Sequence, residues 1–236
     1  MKIFGWLVLL LIAIPVAWLG SAFVYETANG YVHRFRLAVE VDTPDGPKRG
    51  WSVWQSAWTR KAGWIPQTGG ALSSLRGDAV FVDLGQGRNV IAILGFGPTG
   101  GDYGIESLAA RAFGRDKPLW FVDAPNWTGA AELKLSDVPT LVTFGNLSDP
   151  ATARVVQPEA FEQAFGAGFR FRRATIEMVP VGIWPLNLIG LSGVPITRGI
   201  EARLAWISRI SGYLNGKFAC NPSIETCLEV GHFRRK

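Results

Sequence analysis

The chain has 236 residues, 48% of them apolar and 18% charged, with a formal net charge of +5. That balance excludes a disordered chain, and the length suits one domain with a short extension. The basic residues are scattered (Lys48-Arg49, Arg60-Lys61, Arg170 with Arg172-Arg173, Arg234-Arg235-Lys236), with no long basic run, so nucleic acid is not an expected partner.

Ile3 to Tyr25 carries no charged residue. As a helix this stretch would rise ~34 Å, enough to cross a bilayer core. Trp6 and Tyr25 lie near its two ends, where amphipathic rings favour the interface, and a membrane helix tolerates Pro15. Lys2 ahead of it and Gly20-Ser21-Ala22 within it would also suit a signal peptide cleaved after Ala22. The apolar stretch exceeds the usual signal core, which favours retention. Residues 1–28 therefore read as a transmembrane anchor (or uncleaved signal) and residues 30–236 as a single domain. Lys2 set against Arg34 and Arg36 leaves the flanking charges ambiguous, but long domains translocate largely regardless of them. The expected location is the inner (cytoplasmic) membrane, single-pass, with the C-terminal domain in the periplasm.

Along that domain, Phe35–Val41 alternates as a half-buried strand, and Pro44-Asp45-Gly46-Pro47 turns it into a second, antiparallel strand over Trp51–Trp58. Ala79–Leu84 and Asn89–Leu94, joined by Gly85-Gln86-Gly87-Arg88, predict a hairpin. A helix is expected over Ile105–Phe113, with strands at Leu119–Val122 and Thr140–Phe144. Pro158 opens a helix over Glu159–Phe165 that Gly166 and Gly168 end. Phe169–Val179 alternates as a strand, and Ile200, Leu204, Ile207 and Ile210 mark the apolar face of a helix over Thr197–Ile210. Strands in runs with few helices predict an α+β fold, mainly antiparallel. Met178–Thr197 is uncharged, but its prolines and glycines argue against a membrane helix. It reads as a buried irregular segment or a membrane-docking loop.

The two cysteines, Cys220 and Cys227, suit one small-loop disulfide in an oxidising compartment, with Asn221-Pro222 as a turn inside it. A zinc site from both cysteines, His232 and Glu229 fits no defensible ligand spacing. The expectation is no metal and no cofactor.

Gly95-Phe96-Gly97-Pro98-Thr99-Gly100 fits the G-x-G-x-x-G pattern of dinucleotide sites, with Asp123 downstream. Gly101–Gly104 then intervenes before any helix, so a glycine-rich loop is the better reading. No serine lies in a nucleophile motif, and His33 and His232 are the only histidines. Asp78, Asp83, Asp102 and Asp123 could form a carboxylate pair only through tertiary structure.

Tryptophan is the compositional oddity: ten occur, with Trp51, Trp54, Trp58 and Trp64 crowded together. They are candidate binding residues for glycan or lipid headgroups; core filling is the alternative. Strand parity puts Trp54 and Trp58 on one face and Trp51 on the other.

Several stretches together resemble a family of uncharacterised, membrane-anchored bacterial envelope proteins. They are Arg36–Val41 with Thr43–Gly46, Gly77–Gly85, Pro139–Phe144, Phe165–Gly168 and Thr197–Leu204. The resemblance implies the anchored topology and no catalytic residues. The functional expectation is an envelope module that binds a protein, lipid or glycan partner and is not an enzyme; the alternative is an envelope hydrolase using a carboxylate site.

Overall fold

The computed structural model describes residues 30–60, 71–97, 104–183, 186–188, 191–210, 217–221 and 226–235. The expected anchor over residues 3–25 lies outside them. Among the described residues no helix is long and apolar enough to cross a membrane.

The architecture is two antiparallel sheets with a few short helices. β1 (Gly30–Asp42) turns at Thr43–Gly46 into β2 (Lys48–Arg60). Gly46 takes a positive φ of 102° there, and its amide donates to the Thr43 carbonyl. Both strands outrun their expected bounds. β3 (Ala71–Asp78) pairs with β2, and β9 (Arg170–Val179) pairs with the other side of β1. β6 (Ala130–Glu132) and β12 (Arg234–Arg235) finish the edges, giving a six-stranded order β12-β3-β2-β1-β9-β6. The expected hairpin forms as β4 (Val80–Gly85) and β5 (Arg88–Ala92). With β7 (Leu141–Phe144) and β8 (Ala153–Val156) it makes the second sheet, ordered β4-β5-β7-β8. β10 (Lys217–Asn221) and β11 (Thr226–Glu229) form a separate hairpin.

Only Ala79 separates β3 from β4, so the chain passes from one sheet into the other at a corner. The sheets meet closely beyond it. A Cβ on Gly50 of β2 would lie 2.1 Å from the Phe81 carbonyl oxygen of β4, which only glycine avoids. Phe35, Leu37, Val39 and Val41, alternate residues of β1, point into the core beside Trp54, Val80, Val82 and Val90. Leu108 and Ala109 of α1 (Leu108–Ala112) close it.

The helices are shorter than periodicity predicts. Ile105–Ser107 and Pro158–Ala160 are 3-10 turns leading into α1 and α2 (Phe161–Phe165). The expected helix over Thr197–Ile210 splits into a 3-10 turn (Ile200–Ala202) and α3 (Trp206–Ile210). Its first residues are claimed by β2: Thr197 N donates to the Val53 carbonyl, and Val53 N donates to Thr197 Oγ1. Gly199 then takes a positive φ of 104°. The expected strand over Leu119–Val122 is a 3-10 turn, Trp120–Val122. Trp120 and Phe121 are neighbours in sequence yet both pack against Trp58, which a helical turn permits and strand alternation does not.

Candidate functional site

The tryptophans of β2 do not make one surface. Trp54 is 0% exposed; its indole N–H donates to Ser52 Oγ (3.1 Å) and to the Asp78 carbonyl (2.8 Å), and its ring packs edge-on to Phe35. Trp58 is half-buried and donates to Ser56 Oγ at 2.8 Å. Trp51, on the opposite face, is 53% exposed, with the Arg36 guanidinium 5.3 Å from its ring centre. Trp64 lies outside the described residues. The Ser-x-Trp repeat at 52/54 and 56/58 explains the burial: each serine sits on the same face as its tryptophan and accepts the indole proton.

A larger aromatic assembly forms where β1 begins. Trp58 stacks on Phe121 (5.0 Å, 7°) and meets Trp120 edge-on at 5.2 Å. Trp120 in turn contacts Trp127 at 5.9 Å, and Tyr31 contacts Phe121 at 5.7 Å. His33, 1% exposed, lies edge-on to Trp120 at 5.6 Å. Among the described residues neither of its ring nitrogens has a hydrogen-bond partner, and burial pushes its pKa down to about 4. The ring is therefore neutral at pH 7. Beside this assembly opens a groove of ≈ 640 Å³, lined in part by Arg115, Lys117, Leu119, Trp120, Asp123 and Trp127. The Arg115 guanidinium sits 5.1 Å from the Trp127 ring centre. Aromatic faces beside cationic, anionic and amide groups suit a ligand with both apolar and polar sides. The sequence reading missed this site; the signal was the Trp120–Trp127 pair around Asp123-Ala124-Pro125-Asn126.

A second open groove, ≈ 780 Å³, lies between the β4–β5 turn, β7–β8 and α2, with Arg88, Thr152, Arg154 and Gln163 on its walls.

The candidate carboxylates are dispersed. Asp78 is buried at the sheet corner, where Oδ2 accepts from Ile200 N at 2.9 Å and Oδ1 lies 3.6 Å from Arg198 Nη1. Asp83 closes its own hairpin by accepting from Gly85 N. Asp123 lines the aromatic groove, and Asp102 lies outside the described residues. Glu40 is held below the usual carboxylate range by a hydrogen bond from Arg173 at 2.9 Å, with Arg49 nearby.

The first half of the glycine pattern is tied into the second sheet: Gly95 and Gly97 carbonyls accept from Thr140 N and Oγ1. Phe96 is buried, with Arg111 over its ring at 4.7 Å. Residues 98–103 lie outside the described residues. Among the described residues no three His, Cys, Asp or Glu converge as metal ligands. His232 accepts the Glu229 amide through Nδ1. Burial lowers its pKa, against the raising effect of Glu229. In β10–β11, Phe218 stands opposite Leu228 and Asn221 opposite Thr226, with a register shift between them; the cysteine side chains lie outside the described residues.

The basic tail is structural. Arg234 and Arg235 form β12 against Asp78 and Gly77. Arg234 pairs with Glu201, while Arg235 donates to Glu106 (3.0 Å) and to the Leu94 carbonyl (2.9 Å).

No family model matches the chain, and no curated protein or solved structure matches it. The class is thus defined by fold and site alone: a two-sheet antiparallel domain with a few short helices and an open aromatic groove beside the start of its first strand.

Proposed function

We propose that the chain is a membrane-anchored envelope module that binds a lipid, glycan or protein partner in the Trp120–Trp127 groove. Residues 3–25 hold it in the inner membrane as a single retained helix, and residues 30–236 lie in the periplasm. The observation that carries the binding reading is the groove itself, where Trp120 and Trp127 stand beside Lys117, Asp123 and Asn126. Rings of this kind stack on apolar faces of sugars or acyl–headgroup boundaries while the polar groups orient the ligand. The anchored reading rests on the uncharged Ile3–Tyr25 stretch and agrees with the family resemblance. A Cys220–Cys227 disulfide belongs to the same reading, since an oxidising compartment would close it. Positions 220 and 227 fall on the two paired strands of one hairpin, β10 and β11.

The test is topology. Alkaline carbonate should leave the full-length chain in the membrane pellet, and protease added to spheroplasts should digest residues 30–236. Release by carbonate, or protection from the protease, would contradict the proposal.

A further inference from the structure

We infer that the end of the first sheet where β1 begins is a bilayer-contacting surface, its apolar loop seated at the headgroup–acyl boundary. This rests on the anchor proposed above.

The registers place four chain ends together. Gly30, the first residue of β1, stands opposite Thr59, and Ala71, the first residue of β3, stands opposite Arg60. Val179, the last residue of β9, stands opposite Arg34. The uncharged loop from Pro180 to Val194 leaves the sheet here. Its neck is rigid. Val194 N donates to the Pro180 carbonyl at 2.9 Å, and Ile183 N donates to Ser192 Oγ at 2.8 Å. Gly182 and Gly193 touch so closely that a Cβ on Gly182 would lie 2.4 Å from the Ser192 carbonyl oxygen. The buried Arg34 completes the frame, donating through Nη1 to the Val194 carbonyl and through Nε to Gln55.

That frame presents large apolar side chains to the outside. Ile183 is 71% exposed, Leu191 72%, and Leu186 is also exposed. Leu72 lies in the same strand row as Gly30, and Leu119 precedes Trp120 against His33 and Trp58; both are exposed. These are five of the seven large hydrophobics exposed among the described residues, so the concentration is not the ordinary scatter of surface leucines. Trp51 and Leu135 are the other two and lie along other parts of the molecule.

The tether selects lipid as the occupant. The apolar stretch ends at Tyr25, and the few residues from there to Gly30 reach ~17 Å at most. β1 itself runs ~43 Å. An anchor ending at Tyr25 would therefore keep this end of the sheet next to the bilayer, while the length of β1 lets the β1–β2 turn stand well away from it. Exposed aliphatic side chains on an uncharged loop gain by entering the boundary between headgroups and acyl chains.

The experiment uses the full-length chain in its native membranes, with photo-activated p-benzoylphenylalanine placed singly at Ile183, Leu191, Leu72 and, as the distal control, Asp45. Three test positions on two elements guard against one that disturbs folding. The expected result is lipid adducts at 183, 191 and 72 and none at 45. Adducts with protein alone at those positions, or equal lipid adducts at 45, would overturn the surface. A chain that resists carbonate yet gives no lipid adducts keeps the anchor and loses the surface. A chain released by carbonate that still gives lipid adducts at 191 keeps the surface and loses the anchor.

Discussion

The sheet corner and the end where β1 begins treat polar and apolar groups in opposite ways. At the corner, Asp78 serves the fold through three oxygens: Oδ2 takes the Ile200 amide, its carbonyl takes protons from Trp54 and Ser52, and Oδ1, without a hydrogen bond among the described residues, faces the Arg198 guanidinium at 3.6 Å. Gly77, at φ 151°, sits where a Cβ would meet Trp54 Cδ1 at 2.6 Å. At the other region His33 is buried without a hydrogen-bond partner among the described residues, while Ile183 and Leu191 stand in the open. Buried polar groups that are matched fix one arrangement, because leaving any of them unmatched costs ~1–3 kcal/mol. Exposed apolar groups add little to folding, so their reason lies in what covers them.

The largest effect that would break this contrast belongs to Trp54. Trp54→Ala should lower unfolding stability by ~3–5 kcal/mol through the cavity it leaves. Trp51→Ala should stay within ~0.5 kcal/mol. Denaturant unfolding of both variants checks the pair, and similar losses would erase the distinction between the two faces of β2.

Next comes pH. His33 binds its proton more weakly folded than unfolded, since its pKa falls from 6.5 to about 4. Between those values the unfolded chain binds more protons, so stability is full above pH 6.5 and declines as pH drops toward 4. The loss approaches about 3 kcal/mol at 1.36 kcal/mol per unit. The lowered pKa of His232 works in the same direction. Thermal unfolding across this window should slope for the parent chain and flatten substantially in His33→Phe, which keeps an aromatic ring against Trp120. An unchanged slope would show that His33 is not the buried proton-sensitive group.

Gly50→Ala should cost ~1–3 kcal/mol, because a methyl there collides with a backbone carbonyl that cannot rotate away. A neutral result would mean that the two sheets do not meet at Gly50 and Phe81. The smallest effect is expected at the loop: Ile183→Ser and Leu191→Ser should each change stability by less than ~0.5 kcal/mol. A larger loss would put those side chains in a core.

Much of this fold was legible in the sequence where a single period governs. β1, β2 and the β4–β5 hairpin follow from alternation of Phe35 to Val41, from Pro44–Pro47 and from Gly85–Arg88; β9 forms over the expected residues, but its alternation breaks at Arg172-Arg173, both exposed, where the register against Glu40-Val41 shifts. Helix lengths were not, because Thr197 satisfies β2 rather than its own helix. The role of Arg234 and Arg235 was hidden for a similar reason: a basic tail looks solvated until Glu201 and Glu106 are folded next to it. Among the tryptophans, parity separated Trp51 from Trp54 and Trp58. The groove escaped because Trp120 and Trp127 acquire their neighbours through the turn at Leu119, whose positive φ of 63° no pattern announces.

The most direct test of the central proposal is the intact mass of the native chain extracted from membranes, measured with and without reductant. A retained anchor and a closed Cys220–Cys227 bond require a full-length mass that gains two hydrogens on reduction. A mass beginning near Phe23, or thiols already reduced before treatment, would contradict it.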